Sequence, residues 1–193
     1  MSALIVEDLV VDYQGRRGLV RAVDGVSFTV APGRTVALVG ETGSGKTTAA
    51  LAAIGMLPPA GIRAAGRTVV DGTDITGWSR RRLRGVHGTR VGLIPQDPTS
   101  SLDPLLTVGT QVGEALRIHG ERDRAVVRAE VSHLLQRVGL TDADRIARSY
   151  PHQLSGGQRQ RVLIAGAIAL RPAVLVADES TSALDVTVQR RVL

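Results

Sequence analysis

Nine residues from Gly40 to Thr48, Gly-Glu-Thr-Gly-Ser-Gly-Lys-Thr-Thr, carry the clearest chemical pattern in this sequence. Their spacing fits G-x-x-x-x-G-K-S/T, in which glycines let several backbone N–H groups converge on phosphate oxygens. A lysine at position 46 supplies a mobile positive charge for the outer phosphates, and the hydroxyl of Thr47 is a ligand for magnesium. The segment therefore predicts a phosphate-binding loop, the alternative being a plain glycine-rich turn.

Lys46 is the only lysine of the chain, and every other one of the 24 basic side chains is arginine. A compact ammonium suits a phosphate loop better than the planar fork of arginine does. The composition therefore supports a specific role for Lys46, the alternative being one accidental lysine in an arginine-rich chain.

Apolar segments on both sides predict the elements that position the loop. Thr35 to Val39 predicts a strand that enters it, and Ala49 to Ile54 predicts a helix that leaves it. Upstream, Leu4 to Val11 and Val26 to Val30 predict an antiparallel β-layer. Three further elements are predicted before Pro95: a strand at Arg67 to Val70, a short basic helix, and a strand at Arg90 to Ile94.

The second half of the chain begins as helix. One predicted helix is marked by Val112, Ala115, Leu116 and His119, and the next by Val127, Val131, Leu134, Leu135 and Val138. A further helical segment is predicted from Gln153 to Leu170, and a buried strand from Val174 to Ala177. Strands, then helices, then a strand again indicate one α/β core with a helical insertion from about Gln96 to Leu154.

Two carboxylates, Asp178 and Glu179, directly follow the last predicted strand. Beside a bound nucleotide, one carboxylate can hold magnesium, and the next can orient and deprotonate the attacking water. An acid pair after a strand is weak evidence by itself, but the phosphate loop upstream strengthens it.

A second glycine-rich helix start lies at Ser155-Gly156-Gly157. Such a start can form a second anion site, because its N–H groups and the positive end of the helix dipole point outward. The alternative is an ordinary N-cap, in which Ser155 closes the helix end.

The composition is that of a globular protein, since 43% of the 193 residues are hydrophobic and 22% are charged. The acidic start lacks the basic region of a signal peptide, and the longest apolar run, Val162 to Leu170, is too short to cross a bilayer. The absence of cysteine excludes disulfides and thiolate metal sites and agrees with a cytoplasmic location.

A formal charge of +6 raises the question of nucleic acid or an acidic membrane surface as a partner. Only Arg80 to Arg84 forms a basic cluster, and aromatic residues, at 2%, are too few for a base-stacking surface. We interpret the cluster as a solvated helix face, with contact to a partner or to lipid headgroups as the alternative. No nucleic-acid partner is expected.

Together and in this order, the motifs resemble those of the ABC transporter ATPases. The matching segments are Gly40–Thr48 (Walker A), Gln96 (Q-loop), Leu154–Gln158 (signature), Val174–Glu179 (Walker B) and Ser182–Asp185 (D-loop). The resemblance covers nearly the whole chain and implies an α/β fold: a P-loop NTPase core with an N-terminal antiparallel β-layer and an inserted helical subdomain. It implies one ABC-type ATP-binding domain over residues 1–193, divided into 1–39 (β-layer and Walker A strand), 40–95 (first core part), 96–154 (helical subdomain) and 155–193 (signature helix, Walker B and D-loop).

The resemblance further implies a dimer that holds two ATP molecules, with Mg²⁺, between its chains. It implies phosphate contacts from Gly40, Gly43, Ser44, Gly45, Lys46, Thr47 and Thr48 of one chain and from Ser155, Gly157 and Gln158 of the other. It implies magnesium ligands at Thr47, Gln96 and Asp178, catalytic contacts at Gln96 and Lys46, a general base at Glu179, and a connection between the two sites at Asp185. Tyr13 is a candidate for stacking on adenine, with a core aromatic at a strand end as the alternative.

Within the family, Gln96–Pro104 with Thr107–Gly109, and also Arg21–Phe28, resemble the branch that imports oligopeptides, dipeptides and nickel. This implies transmembrane permease subunits, a second ATP-binding subunit in a homo- or heterodimer, and indirectly a solute-binding protein as partners. It also implies a peripheral location on the cytoplasmic side of the inner membrane. Two alternatives stay open: a non-transport ABC protein that acts on nucleic acid or ribosomes, and a non-hydrolysing remnant.

Two departures from the family pattern set further expectations. Family members carry a switch histidine after the catalytic glutamate, whereas all four histidines here precede Glu179 and are interpreted as solvated or capping: His87, His119, His133 and His152. Ser180 stands where the family usually has proline, which could loosen the turn that aims Glu179. We expect a C-terminally truncated piece that keeps most nucleotide contacts, lacks the strand between the Walker A and Walker B strands, hydrolyses poorly and is marginally stable.

Overall fold

The computed structural model describes residues 2–15 and 18–178. The chain divides into two compact units, Met1–Val91 and Gly92–Leu193. The finer divisions expected at residues 40, 96 and 155 stay predictions.

A four-stranded antiparallel sheet forms the frame of the first unit, with the strand order β2-β1-β3-β4. Strand β1 (Leu4–Gly15) pairs with β2 (Gly18–Val30) on one side and with β3 (Gly61–Val70) on the other. The short β4 (Thr73–Asp74) completes a hairpin with β3. The predicted antiparallel β-layer is confirmed, and β3 begins six residues before the predicted Arg67.

Helix α1 (Lys46–Ala53) follows the glycine-rich loop and contacts both β1 and β2. It buries Ala49, Ala52 and Ala53, whose small side chains allow the helix to lie close to the sheet. The predicted helix after the loop is confirmed, but it begins at Lys46, three residues before the predicted Ala49, and ends one residue before Ile54.

The strand predicted at Thr35–Val39 is wrong, since these residues lie in the described part of the chain and carry no strand. Val39 is 92% exposed and Val36 is 43% exposed, so this apolar run is not in a core. A strand exists only through ladder hydrogen bonds to a neighbour, and apolar content by itself does not provide that neighbour.

The basic cluster is a solvent-exposed helix face, as interpreted from the sequence. Helix α2 (Arg80–Leu83) begins at Ser79, whose side chain accepts a hydrogen bond from the Arg82 N–H. Its arginines are exposed and Leu83 is buried. The guanidinium carbon of Arg82 lies 3.6 Å from the centre of the Trp78 ring, a cation–π contact.

The second unit consists mainly of helices around one apolar core. Its elements are β5 (Val91–Ile94, which begins at the last residue of the first unit), α3 (Pro98–Ser101), α4 (Val108–Val112), α5 (Glu114–Ile118), α6 (Arg124–Arg137), α7 (Ala143–Arg148), a 3-10 turn (Pro151–Gln153), α8 (Gly156–Ala167) and β6 (Val174–Ala177). The core includes Val108, Val112, Leu134, Leu135 and Ile146, each exposed by 2% or less.

The first predicted helix of this unit is in fact two short helices, α4 and α5, that meet at Gly113. A Cβ at Gly113 would lie 2.8 Å from Cγ1 of Val127 on α6. The glycine therefore allows α6 to pack closely at this point, a tertiary demand that local periodicity does not show. The segment predicted as helix from Gln153 to Leu170 is likewise shorter, because α8 covers only Gly156–Ala167.

Strands β5 and β6 pair in a two-stranded sheet, which confirms both predicted strands. A Cβ at Gly92 of β5 would overlap the carbonyl oxygen of Ala167 at the end of α8 and would lie 2.8 Å from Cδ1 of Leu175. The missing side chain thus lets the sheet and the end of α8 approach each other closely.

Candidate functional site

Two glycines of the loop before α1 have positive φ angles, +85° at Gly43 and +89° at Gly45. A Cβ at Gly45 would overlap the carbonyl oxygen of Ala22 on β2, whereas the space around Gly43 is open. At Gly40, a Cβ would lie 2.7 Å from the Ser44 hydroxyl oxygen. Gly45 thus packs the loop against the sheet, while Gly43 leaves the backbone accessible to a ligand.

The ammonium group of Lys46 lies across this loop. Its Nζ donates to the carbonyl oxygens of Gly40, at 2.9 Å, and Glu41, at 2.8 Å. An ammonium has three N–H donors, so these two bonds orient the group and leave the third donor for an oxygen above the loop.

The N-terminus of α1 is built to accept an anion. Gly45 is its N-cap, no side chain caps the helix end, and its first turn contains no acidic residue. The first N–H groups of a helix lack intrahelical acceptors, and together with the helix dipole they attract negative charge. Thr47 and Thr48 lie in this first turn, directly after Lys46.

Tyr13 lies next to the first turn of α1. Its hydroxyl oxygen is 3.4 Å from the Thr48 hydroxyl oxygen, and its ring lies over Gly61, where a Cβ would be 3.3 Å from Cε1. The half-buried ring is thus placed at the edge of the loop by β1. Stacking on adenine stays a prediction.

In the second unit, the predicted metal ligands Gln96 and Asp178 follow the ends of adjacent strands. The Asp178 N–H donates to the carbonyl oxygen of Ile94, at 3.1 Å, where β5 ends two residues before Gln96. The carboxyl ends of β5 and β6 are therefore side by side. Glu179 and Asp185, predicted as general base and as site connector, lie outside the described residues, as does Ser180.

No cluster of three or more His, Asp or Glu side chains suited to a metal ion occurs in residues 2–15 and 18–178. Mg²⁺ is commonly held by one or two protein oxygens together with substrate phosphates rather than by a protein cage. The donors expected for it are the Thr47 hydroxyl in the first unit and Gln96 and Asp178 in the second, and their role as magnesium ligands stays a prediction.

Helix α8 begins with a complete capping box formed by Ser155 and Gln158. The Ser155 hydroxyl accepts from the Gln158 N–H at 3.3 Å, and Gln158 Oε1 accepts from the Ser155 N–H at 3.0 Å. The structure therefore contains the N-cap that the sequence offered as one interpretation of this motif. It does not exclude an anion site, because Gly156 has open space around it and the serine hydroxyl keeps a proton to donate.

Arg159, which the sequence did not single out, links the start of α8 to the segment after Gln96. Its Nε donates to the Leu154 carbonyl oxygen at 3.2 Å, and its Nη1 donates to the Thr99 hydroxyl on α3 at 3.3 Å. The signature segment and α3 thus form one connected region. A contact over 60 residues of chain leaves no local signal in the sequence.

Asp97 is a second residue to which the sequence assigned no individual role. It caps α3 by accepting from the N–H groups of Thr99, at 2.8 Å, and Ser100, at 3.3 Å. The hydrogen bond donated by the Thr99 N–H lowers the pKa of the Asp97 carboxyl below its ordinary value, and hydrogen bonding from Ser100 adds a smaller lowering. Asp before Pro98 is a recognisable helix-start pattern, so the sequence contained the signal.

The predicted site residues thus fall into two sets, each assembled within one unit. The first unit holds Tyr13, Gly40, Gly43, Ser44, Gly45, Lys46, Thr47 and Thr48, and the second unit holds Gln96, Ser155, Gly157, Gln158 and Asp178. Their individual roles stay predictions.

A family model described as "ABC transporter" matches residues 23–182, which include the loop, the capping box and the end of β6. The chain belongs to the ABC transporter family. None of the helices in residues 2–15 and 18–178 is long and apolar enough to cross a membrane.

Two relatives within the ABC transporter family are ATP-binding proteins by name. The dipeptide transport ATP-binding protein DppD of Bacillus subtilis is 42% identical over 193 residues, which cover 100% of this chain and 58% of that protein. The oligopeptide transport ATP-binding protein OppD of Mycobacterium tuberculosis is 44% identical over 196 residues, which cover 100% of this chain and 32% of that protein. The chain therefore spans 58% of the length of the first relative and 32% of the second.

A solved structure of an ABC cassette shares the fold. The dimeric post-hydrolysis state of the ATP-binding cassette MJ0796, bound to ADP and Pi, aligns with a TM-score of 0.86 at 26% identity and covers 98% of this chain and 79% of that one. The fold class expected from the motifs, an ABC-type P-loop core with an antiparallel β-layer, is thereby confirmed.

Proposed function

We propose that this chain is the nucleotide-binding part of an ABC importer's ATP-binding subunit, which couples ATP binding and hydrolysis to uptake of peptides or a related small solute. The observation that carries the proposal is the construction of the phosphate loop. Gly45 is pressed against β2, the Lys46 ammonium is held by two loop carbonyl oxygens, and α1 begins without a side-chain cap. These features together provide fixed N–H donors and a positive charge for a polyphosphate.

ATP supplies the phosphoanhydride bond that is cleaved, and Mg²⁺ supplies positive charge at its outer phosphates. In our proposal, the N–H groups of the loop and the Lys46 ammonium hold these phosphates, and the Thr47 hydroxyl, Gln96 and Asp178 hold the metal ion. Gln96 and Glu179 orient the water, with Glu179 accepting its proton.

The second half of the site comes from a second ATP-binding subunit, whose signature residues at positions 155, 157 and 158 complete the phosphate contacts. The dimeric state of the aligned cassette supports this arrangement. The peptide-transport names of the relatives support permease subunits as membrane partners and a peripheral location on the cytoplasmic face of the inner membrane. ATP-driven closure and opening of the dimer would then bias the permease between two states.

Binding of a fluorescent ATP analogue with Mg²⁺ tests the nucleotide site directly. We expect K46A to weaken binding by about 10- to 100-fold, the range expected when a hydrogen bond to a charged group is lost. The matched control is R34A, which removes an exposed cation from the same part of the chain without touching the loop. Equal affinity in the wild type and K46A would refute the proposed site.

Uptake assays in cells that carry the full-length protein test the transport role. We expect K46A to abolish ATP-dependent uptake of labelled di- or oligopeptides, with labelled nickel as a parallel assay. Normal uptake of all these solutes by K46A cells, with the protein present at wild-type level, would contradict a role in their import.

A further inference from the structure

The C-terminal end of α1 is held by two side chains that lie far apart in the sequence. The carbonyl oxygen of Ala52 accepts a hydrogen bond from Nη2 of Arg63 on β3. The carbonyl oxygen of Ile54, the C-cap residue, accepts one from Nε2 of His87 at 2.8 Å. Since a carbonyl oxygen can only accept, Nε2 carries the proton in this contact.

The Arg63 guanidinium loses part of its hydration in making this contact. Its Nη2 also donates to the hydroxyl of the fully buried Thr68, at 2.9 Å. Its Nη1 is buried and has no hydrogen-bond partner within residues 2–15 and 18–178. None of the ion pairs found in the described part of the chain includes Arg63. Burial lowers the pKa of this guanidinium, and the charge of Asp74 only partly opposes the effect.

A guanidinium buried without a carboxylate is unfavourable unless another group compensates its charge. The compensating group here is the end of α1, where aligned peptide dipoles concentrate negative partial charge on the last carbonyl oxygens. The Ala52 oxygen already accepts from the Gly55 N–H at 3.1 Å, so Arg63 is not required to satisfy it. The bond from Arg63 therefore fixes the position of the helix end more than it satisfies a polar atom.

The other end of the same helix is the phosphate loop. With eight residues, α1 is about 12 Å long, so its two ends move together as one short rigid body. At the N-terminal end, Gly45 abuts the carbonyl oxygen of Ala22 on β2. Lys46 and the N–H groups of the first turn are therefore located relative to the sheet by contacts at both ends of α1.

We propose that Arg63 and His87 are positioning residues for the phosphate loop, a role that rests on the nucleotide binding proposed above. They hold the C-terminal carbonyl oxygens of α1 and so fix the orientation of its N-terminal N–H groups toward the bound phosphates. Neither residue contacts the phosphates in this role.

Three variants of the 193-residue chain test the positioning role: R63M and H87A, which remove the donors, and H87Q, which keeps a side-chain N–H. The matched control is R67M, because Arg67 lies on the same strand β3 but pairs with Asp74 and Glu7 at the surface. Two quantities are measured for each: amide hydrogen exchange without ligand, and the Kd of a fluorescent ATP analogue with Mg²⁺.

In R63M and H87A, we expect the amides of α1 to exchange about 10-fold faster, while those of β1 stay unchanged. We expect the Kd for the ATP analogue to rise about 5- to 10-fold in both variants and to stay within about 2-fold of wild type in H87Q and R67M. Because R63M removes the desolvation penalty of the partly buried guanidinium together with its hydrogen bonds, its Tm should not fall in proportion to its affinity.

Unchanged exchange of α1 in both R63M and H87A would overturn the inference. Faster exchange spread equally over α1 and β1, with a lower Tm, would also overturn it, because general destabilisation would then explain the loss. Absence of nucleotide binding by the wild-type chain would refute the proposed function instead, and the exchange of α1 would still decide whether the two side chains fix this helix.

Discussion

Two helices of this protein begin with glycine-rich motifs, yet their first turns are built in opposite ways. Helix α1 starts from Gly45 in a left-handed conformation and has no side-chain cap. Helix α8 starts from Ser155 in an extended conformation and closes its own end through the reciprocal bonds with Gln158. The sequence patterns look alike because both place small residues at a helix start.

The two helix starts therefore offer different groups to a ligand. At α1, the helix supplies donors and a positive dipole end, and the Lys46 ammonium adds a positive charge beside them. At α8, the chain satisfies part of the end itself, so the helix start is stable before any ligand binds. We infer that the phosphate loop is the primary anion site and that the signature segment is a preformed second contact.

Replacing Gly45 by alanine should have the largest effect. The new Cβ would overlap the Ala22 carbonyl oxygen at a φ of +89°, so the loop must move away from β2. We expect a loss of roughly 2–4 kcal/mol in the free energy of unfolding, together with loss of nucleotide binding. Urea unfolding and the binding assay with the ATP analogue measure the two effects.

The control for this variant is G43A, since Gly43 has a similar φ of +85° but open space around it. It should cost only the conformational penalty, roughly 1–2 kcal/mol. Equal destabilisation by G43A and G45A would show that contact with β2 does not matter and would weaken the comparison between the two helix starts.

The buried faces of the two helices differ as well, and this gives a second prediction. Helix α1 buries alanines, whereas α8 buries Gln160, which is 1% exposed. Its Nε2 and Oε1 have no hydrogen-bond partner among the residues that the structure describes. Replacing it by methionine, of similar shape, should raise the free energy of unfolding by about 1–2 kcal/mol, because an unpaired buried amide is costly. A lower urea midpoint for Q160M would show instead that the amide is satisfied in solution.

The cap of α8 gives a third, smaller effect. S155A removes the acceptor for the Gln158 N–H and should cost about 1 kcal/mol, while S155D should retain most of the stability. Ser155 belongs to the second unit and the phosphate loop to the first, so we expect the affinity of the isolated chain for the ATP analogue to stay the same. A weaker affinity in S155A would show that the cap acts on the phosphate loop within one chain.

The sequence predicted features that depend on neighbouring residues in the chain. The hairpin of β1 and β2 follows from their apolar and β-branched residues. A helix after the loop follows from the apolar run that begins at Ala49, although α1 starts three residues earlier, at Lys46. The capping box of α8 could also be read from the spacing of Ser155 and Gln158. The error at Thr35–Val39 arose because an apolar run was equated with a strand, although a strand needs a partner that local sequence does not specify.

Contacts between distant segments could not be predicted in the same way. The close packing of Val127 against Gly113, and the hydrogen bonds from Arg63 and His87 to the end of α1, join residues that are far apart in the chain. His87 did turn out to be a capping histidine, but which helix it caps follows only from the fold. The family motifs identified the candidate site residues, whereas the side chains that position them are visible only in the structure.

A third helix start, the cap of α3 by Asp97, extends the comparison to a charged group and gives the smallest predicted effect. The pKa of the Asp97 carboxyl in the folded chain is below the ordinary value of 3.8, chiefly because the carboxylate accepts a hydrogen bond from the Thr99 N–H. The carboxylate therefore supports the cap fully above about pH 4, and this support is lost as the pH falls through the lowered pKa. Amide chemical shifts of Thr99 and Ser100 should change in that acidic window in the wild type but stay flat in D97N, whose uncharged side chain also caps. Identical titrations of the two proteins would show that the charge of Asp97 does not contribute to the start of α3.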